Sequence, residues 1–109
     1  VRVRKGSVPR EPSPVSRLDS EGFAALQKTL REVFADAVVV PSLALGGTDA
    51  RHFHALTPDV YRVSPFRLDR QALRRVHGTD ERVAVEALGD AVRFFRRAIQ
   101  NASASAEGA

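Results

Sequence analysis

The sequence predicts an α/β fold, and three observations carry that prediction. Two stretches repeat apolar residues at helical spacing, a short β-branched run between them ends at a proline, and helical and extended segments alternate along the chain. Helices packed on a short sheet is the arrangement expected to bury both apolar stripes.

The elements follow in order. Val1 to Lys5 (VRVRK) reads as a strand that begins mid-element, so the chain reads as a piece of a longer protein. Residues 6–16 hold three of the six prolines together with Gly and Ser, a composition that disfavours helix and central strand alike and predicts a linker between two structural units. Asp19 or Ser20 suits a helix N-cap, and Phe23, Leu26, Leu30, Val33 and Phe34 form one stripe, which predicts a helix from Ser20 to Phe34. Ala37 to Val40 (AVVV), closed by Pro41, predicts a buried strand. Two glycines and a polar cluster follow in Leu43 to His54, as expected of a functional loop leaving a strand end. Val60 to Val63, bracketed by Pro58 and Pro65, predicts a return to the sheet, and residues 66–83 show no sustained period. Val85, Leu88, Val92, Phe95 and Ile99 fall on one helical face, predicting a core-facing helix from Val85 to Asn101. Residues 102–109 (ASASAEGA) have nothing to bury and predict a disordered tail.

Composition narrows the chemistry. With no cysteine among 109 residues, disulfides, thiol catalysis and thiolate metal sites are excluded, leaving His and carboxylates as metal ligands. The net charge of +4 and pI near 10.6 raise the question of nucleic acid. Arg and Lys are interleaved with Asp and Glu throughout, and one Tyr with no Trp offers little for base stacking, so no nucleic-acid partner is expected. No apolar run approaches the roughly 18 residues that a membrane span needs, so no membrane partner is expected either.

Ionisable residues gather beside glycine twice, in Gly46-Gly47-Thr48-Asp49-Ala50-Arg51-His52 and in Val76-His77-Gly78-Thr79-Asp80-Glu81-Arg82. Two such loops can line a cleft with imidazoles, carboxylates and an arginine for an anion. A lone histidine is more often a surface or satisfied residue than a ligand, so these residue types alone leave both readings open.

The phrases PSPVSRLDS, VVPSLALGGTDARHFHAL, VYRVSPFRLD and RRVHGTDERVAVEAL resemble the end of the catalytic domain in the dinuclear zinc carboxypeptidase and aminoacylase family. The match is to its carboxypeptidase S-like branch; glutamate carboxypeptidase and succinyl-diaminopimelate desuccinylase are relatives. The resemblance implies a catalytic α/β domain interrupted by a lid, with residues 1–16 as the return strand and hinge and 17–101 as the C-terminal part of the catalytic domain. It implies that His77, in the family's His-Gly-x-Asn/Asp-Glu-Arg phrase, ligates one of two zinc ions, with Asp80 or Glu81 accepting its other ring N–H. It implies that Arg51 grips a substrate carboxylate, that Gly46 and Gly47 allow close backbone approach, and that Thr48, Asp49 and His52 hydrogen-bond around the site. Alternatively Asp49 and Arg51 cap and brace their loop, and His54, which has no match in the phrase, is structural.

No His-x-Asp and no Glu-Glu pair occurs in this chain, so the general base and most metal ligands are expected upstream, and the isolated chain is expected to be inactive. The implied whole enzyme cleaves the amide bond of a peptide or N-acyl amino acid next to a free carboxylate. Its partners here are the rest of the catalytic domain and the lid. The competing reading is a non-catalytic binding or structural module derived from the same fold.

Overall fold

The computed structural model describes residues 11–107, so the strand expected at Val1 to Lys5 lies outside the described residues. Helix α1 spans Glu21–Val33, α2 spans Arg70–Arg75 and α3 spans Val85–Glu107, with a 3-10 helix at Asp49–Ala55. Among the described residues none of the three helices is long and apolar enough to cross a membrane.

Local chemistry starts and stops these elements. The Ser20 hydroxyl accepts from the Phe23 N–H at 3.1 Å, while Glu21 and Arg31 complement the two ends of the α1 dipole. The helix closes where the Phe34 N–H reaches the Leu30 carbonyl at 2.8 Å. Asp69 caps α2 in the same way, accepting from the Ala72 N–H at 2.7 Å. Helix α3 runs past Asn101 to Glu107, through residues expected to form a disordered tail. Alanine and glutamate favour helix, and the Ser103 hydroxyl bonds back to the Ile99 carbonyl at 2.6 Å.

The core is the contact between α1 and α3, which run antiparallel. Phe34 at the end of α1 meets Phe94, with ring centroids 6.4 Å apart, and Thr29 meets Asn101 across the other end. The buried apolar residues are Phe34, Ala87, Ala91 and Phe94. Thr29 is fully buried with both hydroxyl functions used: it donates to the Ala25 carbonyl at 2.8 Å and accepts from Asn101 Nδ2 at 2.9 Å. Asn101 also donates to Glu32 Oε2 at 3.0 Å, and Arg97 approaches the same oxygen at 3.4 Å.

Arg67 fastens the seam from outside. Its guanidinium forms a two-pronged bond with Asp36, at 2.6 and 2.8 Å, approaches Asp90 of α3 at 3.6 Å, and lies 5.2 Å from the Phe34 ring centroid. A second lashing joins residues 59–61 to the approach of α1. The Ser16 hydroxyl donates to the Val60 carbonyl and accepts the Val60 N–H, Arg17 pairs with Asp59, and the Tyr61 hydroxyl meets Ser20 and the Arg17 carbonyl.

The structure overturns the expected α/β fold of helices on a short sheet: the described residues contain no strand. A β-branched run becomes a strand only if a neighbouring backbone completes its ladder. Val38 and Val40 stand exposed, and among the described residues neither has such a neighbour. Val60 to Val63 lies beside residues 16–20, but Ser16 and Tyr61 side chains make the bonds that a ladder would have made.

The packed face of α3 also differs from the expected one. Leu88, Val92 and Phe95 are 55, 63 and 52% exposed, and Val85 and Ile99 are exposed with them. Ala87, Ala91, Phe94, Ala98 and Asn101 form a second helical stripe, and this is the one that meets α1. Its alanines let the helix axes approach closely, whereas the bulkier stripe would hold them apart.

Phe94→Ala should therefore cost about 3 to 5 kcal/mol in urea denaturation, whereas Leu88→Ala should cost about 0.5 kcal/mol or less. The reverse order would contradict the packing. The Arg67 hydrogen bonds hold the Asp36 carboxyl down at about 2, from an ordinary 3.8. Since the folded value is the depressed one, the pair stabilises above the ordinary value and loses its contribution as pH falls through about 2. The melting-temperature gap between wild type and Asp36→Asn should hold steady from neutral pH to about 5, shrink below about 4 and vanish only below about pH 2.

Candidate functional site

The histidine phrase and the glycine phrase sit on two separate local devices. The first is the turn after α2. Val76, the helix C-cap, has φ −57° and ψ 124°, His77 has φ 59°, and the Gly78 N–H donates to the Arg75 carbonyl at 2.8 Å. Those angles and that bond define a type II turn, whose third position requires positive φ and normally carries Gly or Asn. Histidine occupies it here. Asp80 has φ 62°, so two non-glycine residues within four positions stand in the left-handed region. At Gly78 an added Cβ would meet the Arg75 carbonyl oxygen at 3.3 Å, which explains the small residue after the histidine.

Asp80 is engaged by cations. Its carboxylate bonds Arg82 at 2.9 Å and lies 4.0 Å from Arg75 Nε. Glu81 faces a cleft of about 230 Å³ shared with Phe66, Leu68, Val76 and Val83.

The second device is the glycine loop and the 3-10 helix that follows. The Thr48 hydroxyl caps this helix by accepting from the Ala50 N–H at 3.3 Å, and Asp49 opens its first turn. Arg51 is exposed and donates to His52 Nε2 at 3.2 Å; among the described residues no carboxylate pairs with it. An added Cβ at Gly46 or Gly47 would meet nothing within 4 Å among the described residues, so none of them fills the space those glycines leave. His54 is half-buried, and its Nδ1 is buried with no hydrogen-bond partner among the described residues. Arg62 carried no sequence signal, yet its Nη1 donates to the carbonyls of Gly46 and Ala44 at 3.0 and 3.3 Å.

The structure thus brings Arg51 and His52 into hydrogen-bond contact in the 3-10 helix after the glycine loop and seats His77 on the turn after α2. Among the described residues no three of His, Cys, Asp and Glu gather into a metal site. Zinc takes about four donors, so these residues do not fit a zinc ion by themselves; His77 and Asp80 are the two that stand in the left-handed backbone region.

The turn makes a prediction of its own. His77→Gly and His77→Ala both remove the ring, but only glycine adopts positive φ without strain. His77→Gly should be about 1 kcal/mol more stable than His77→Ala in urea titrations. Equal stabilities would mean that the turn does not impose this conformation.

The model of Peptidase family M20/M25/M40 matches residues 2–101. "Probable carboxypeptidase S-like 2" of Dictyostelium discoideum is 38% identical over 101 residues, covering 93% of this chain and 20% of that protein. "N-fatty-acyl-amino acid synthase/hydrolase PM20D1" of Xenopus tropicalis is 42% identical over 92 residues, covering 84% of this chain and 18% of that protein. Its Mus musculus counterpart is 39% identical over 95 residues, covering 84% and 19%. The chain therefore spans about a fifth of the length of these relatives. No solved structure matches it. With both phrases inside the matched residues, the chain belongs to Peptidase family M20/M25/M40.

Proposed function

We propose that this chain, within a protein of the length of its relatives, forms the C-terminal part of a zinc-dependent hydrolase. That enzyme cleaves the amide bond of a peptide or N-acyl amino acid carrying a free carboxylate. Residues 17–101 belong to its catalytic domain, residues 1–16 lead in from a lid, and the general base and remaining metal ligands come from elsewhere in the longer protein. The observation that carries this reading is His77, a histidine at a turn position where the backbone favours glycine. A local preference overridden within a family-matched phrase is what a side chain needed for chemistry would leave.

The other residues take roles consistent with their surroundings. Arg51, with no carboxylate partner among the described residues, offers a planar fork to the substrate carboxylate, and His52 steadies it through Nε. The space beside Gly46 and Gly47 admits substrate against the backbone. Thr48 and Asp49 shape the same loop, and Asp80 and Glu81 flank the histidine turn, where one of them can hold its second ring nitrogen. The relatives named for N-fatty-acyl amino acids place a free carboxylate and an acyl amide in one substrate, the combination that this arrangement suits. Zinc would supply Lewis acidity at the scissile amide. The exposed apolar side chains of α3 face outward here and are available to the remainder of the longer protein.

In the full-length protein His77→Ala and His77→Gly should each remove about one equivalent of zinc and nearly all turnover, since a four-ligand shell does not survive loss of an imidazole. Retention of two zinc equivalents and of turnover in both variants would sink the assignment. Arg51→Lys should raise KM about tenfold or more with little change in melting temperature, because a point charge cannot make the two-pronged grip. A lowered melting temperature with unchanged kinetics would show that Arg51 braces its loop. The isolated 109-residue chain should show no hydrolase activity and no saturable zinc binding in calorimetry.

A further inference from the structure

The glycine loop is held from one side by a residue to which the proposed function assigns no role. Arg62 Nη1 donates to the carbonyls of Gly46 at 3.0 Å and Ala44 at 3.3 Å, across 16 and 18 residues of sequence. Among the described residues no carboxylate pairs with Arg62, so these two carbonyls are its partners. One guanidinium nitrogen thus donates to two carbonyls of the loop. That geometry fixes the loop's facing rather than merely touching it.

A trans peptide is planar, with its C=O and N–H pointing in opposite directions. Where the Gly46 carbonyl turns toward Arg62, the Gly47 N–H of the same peptide must turn away from it. That N–H has no hydrogen-bond partner among the described residues, and an added Cβ at either glycine would meet open space. A cation bonded to the carbonyl also draws electron density from the peptide and strengthens its N–H as a donor. The loop thus presents an unused, polarised donor on its open side, four residues ahead of Arg51.

We infer that Arg62 is a positioning residue: it orients the Gly46–Gly47 peptide so that the Gly47 N–H donates to the substrate carboxylate that Arg51 also grips. This rests on the proposed function for the identity of the ligand. Arg62 itself touches no substrate. It acts through the peptide, which is why its removal should alter recognition of the carboxylate and leave bond cleavage intact.

The test uses the zinc-loaded full-length protein, an N-acyl amino acid and its carboxamide analogue, with Arg62→Ala and Arg62→Lys variants. Arg62→Ala should raise KM for the carboxylate substrate about tenfold and change kcat by about twofold at most, while carboxamide turnover stays put. Arg62→Lys, which keeps a cationic donor, should recover most of that loss. In protein labelled with 15N-glycine, the Gly47 amide resonance should move when the N-acyl amino acid is added to wild type and stay still in Arg62→Ala. An equal loss on carboxylate and carboxamide, a lowered melting temperature with unchanged KM, or a Gly47 response that persists in Arg62→Ala would overturn the inference. If wild type hydrolyses neither compound, the proposed hydrolase reading fails. The Arg62 inference would then stand or fall on the Gly47 resonance alone.

Discussion

Everything described here hangs on the antiparallel contact between α1 and α3. It is a thin core, built from Phe34 and Phe94 at one end, alanines in the middle and the Thr29–Asn101 bond at the other. The alanine face permits the helices to approach closely enough for Thr29 and Asn101 to meet. The aromatic pair and the Arg67 clamp to Asp36 and Asp90 then set their register. The connecting segments are hung from this pair by polar bonds: Ser16, Arg17, Ser20 and Tyr61 lash residues 59–61 to the start of α1. Because Arg62 directly follows Tyr61, that lashing also determines where the arginine that holds the glycine loop can stand.

The two candidate devices are therefore supported differently. The glycine loop is tied to the helix pair through Arg62 and Tyr61. The His77 turn depends on its own backbone, with α2 capped by Asp69 and the turn closed by the Gly78 N–H. Left-handed conformations at His77 and Asp80 place local strain at this point rather than in the helices.

Much of this was legible in the residues. Ser20 and the stripe from Phe23 to Phe34 define α1 almost to its ends, and the Val85 stripe marks the start of α3. What periodicity could not decide was which face of α3 packs, because α3 carries two stripes and the bulkier one is the exposed one. The extended segments misled for a different reason: Ala37 to Val40 has the composition of a strand, but pairing is a property of two segments, and among the described residues no second backbone pairs with this one. The candidate residues stood out because glycine, histidine and acidic side chains cluster in two phrases, and the resemblance in those phrases pointed to the family that the comparison confirms. The positive φ at His77 was hidden, since Val-His-Gly does not announce which residue will turn. Arg62 was hidden too, because nothing local relates it to carbonyls 16 and 18 positions earlier.

The central claim is that this chain contributes a single imidazole to a metal centre completed by the rest of a longer protein. A crystal structure of that full-length protein, with anomalous scattering recorded at the zinc edge, tests this directly. The account predicts a zinc peak about 2.0 to 2.1 Å from a ring nitrogen of His77, with the other ligands drawn from residues outside this chain. A fully loaded zinc centre with the His77 ring turned to solvent would contradict it.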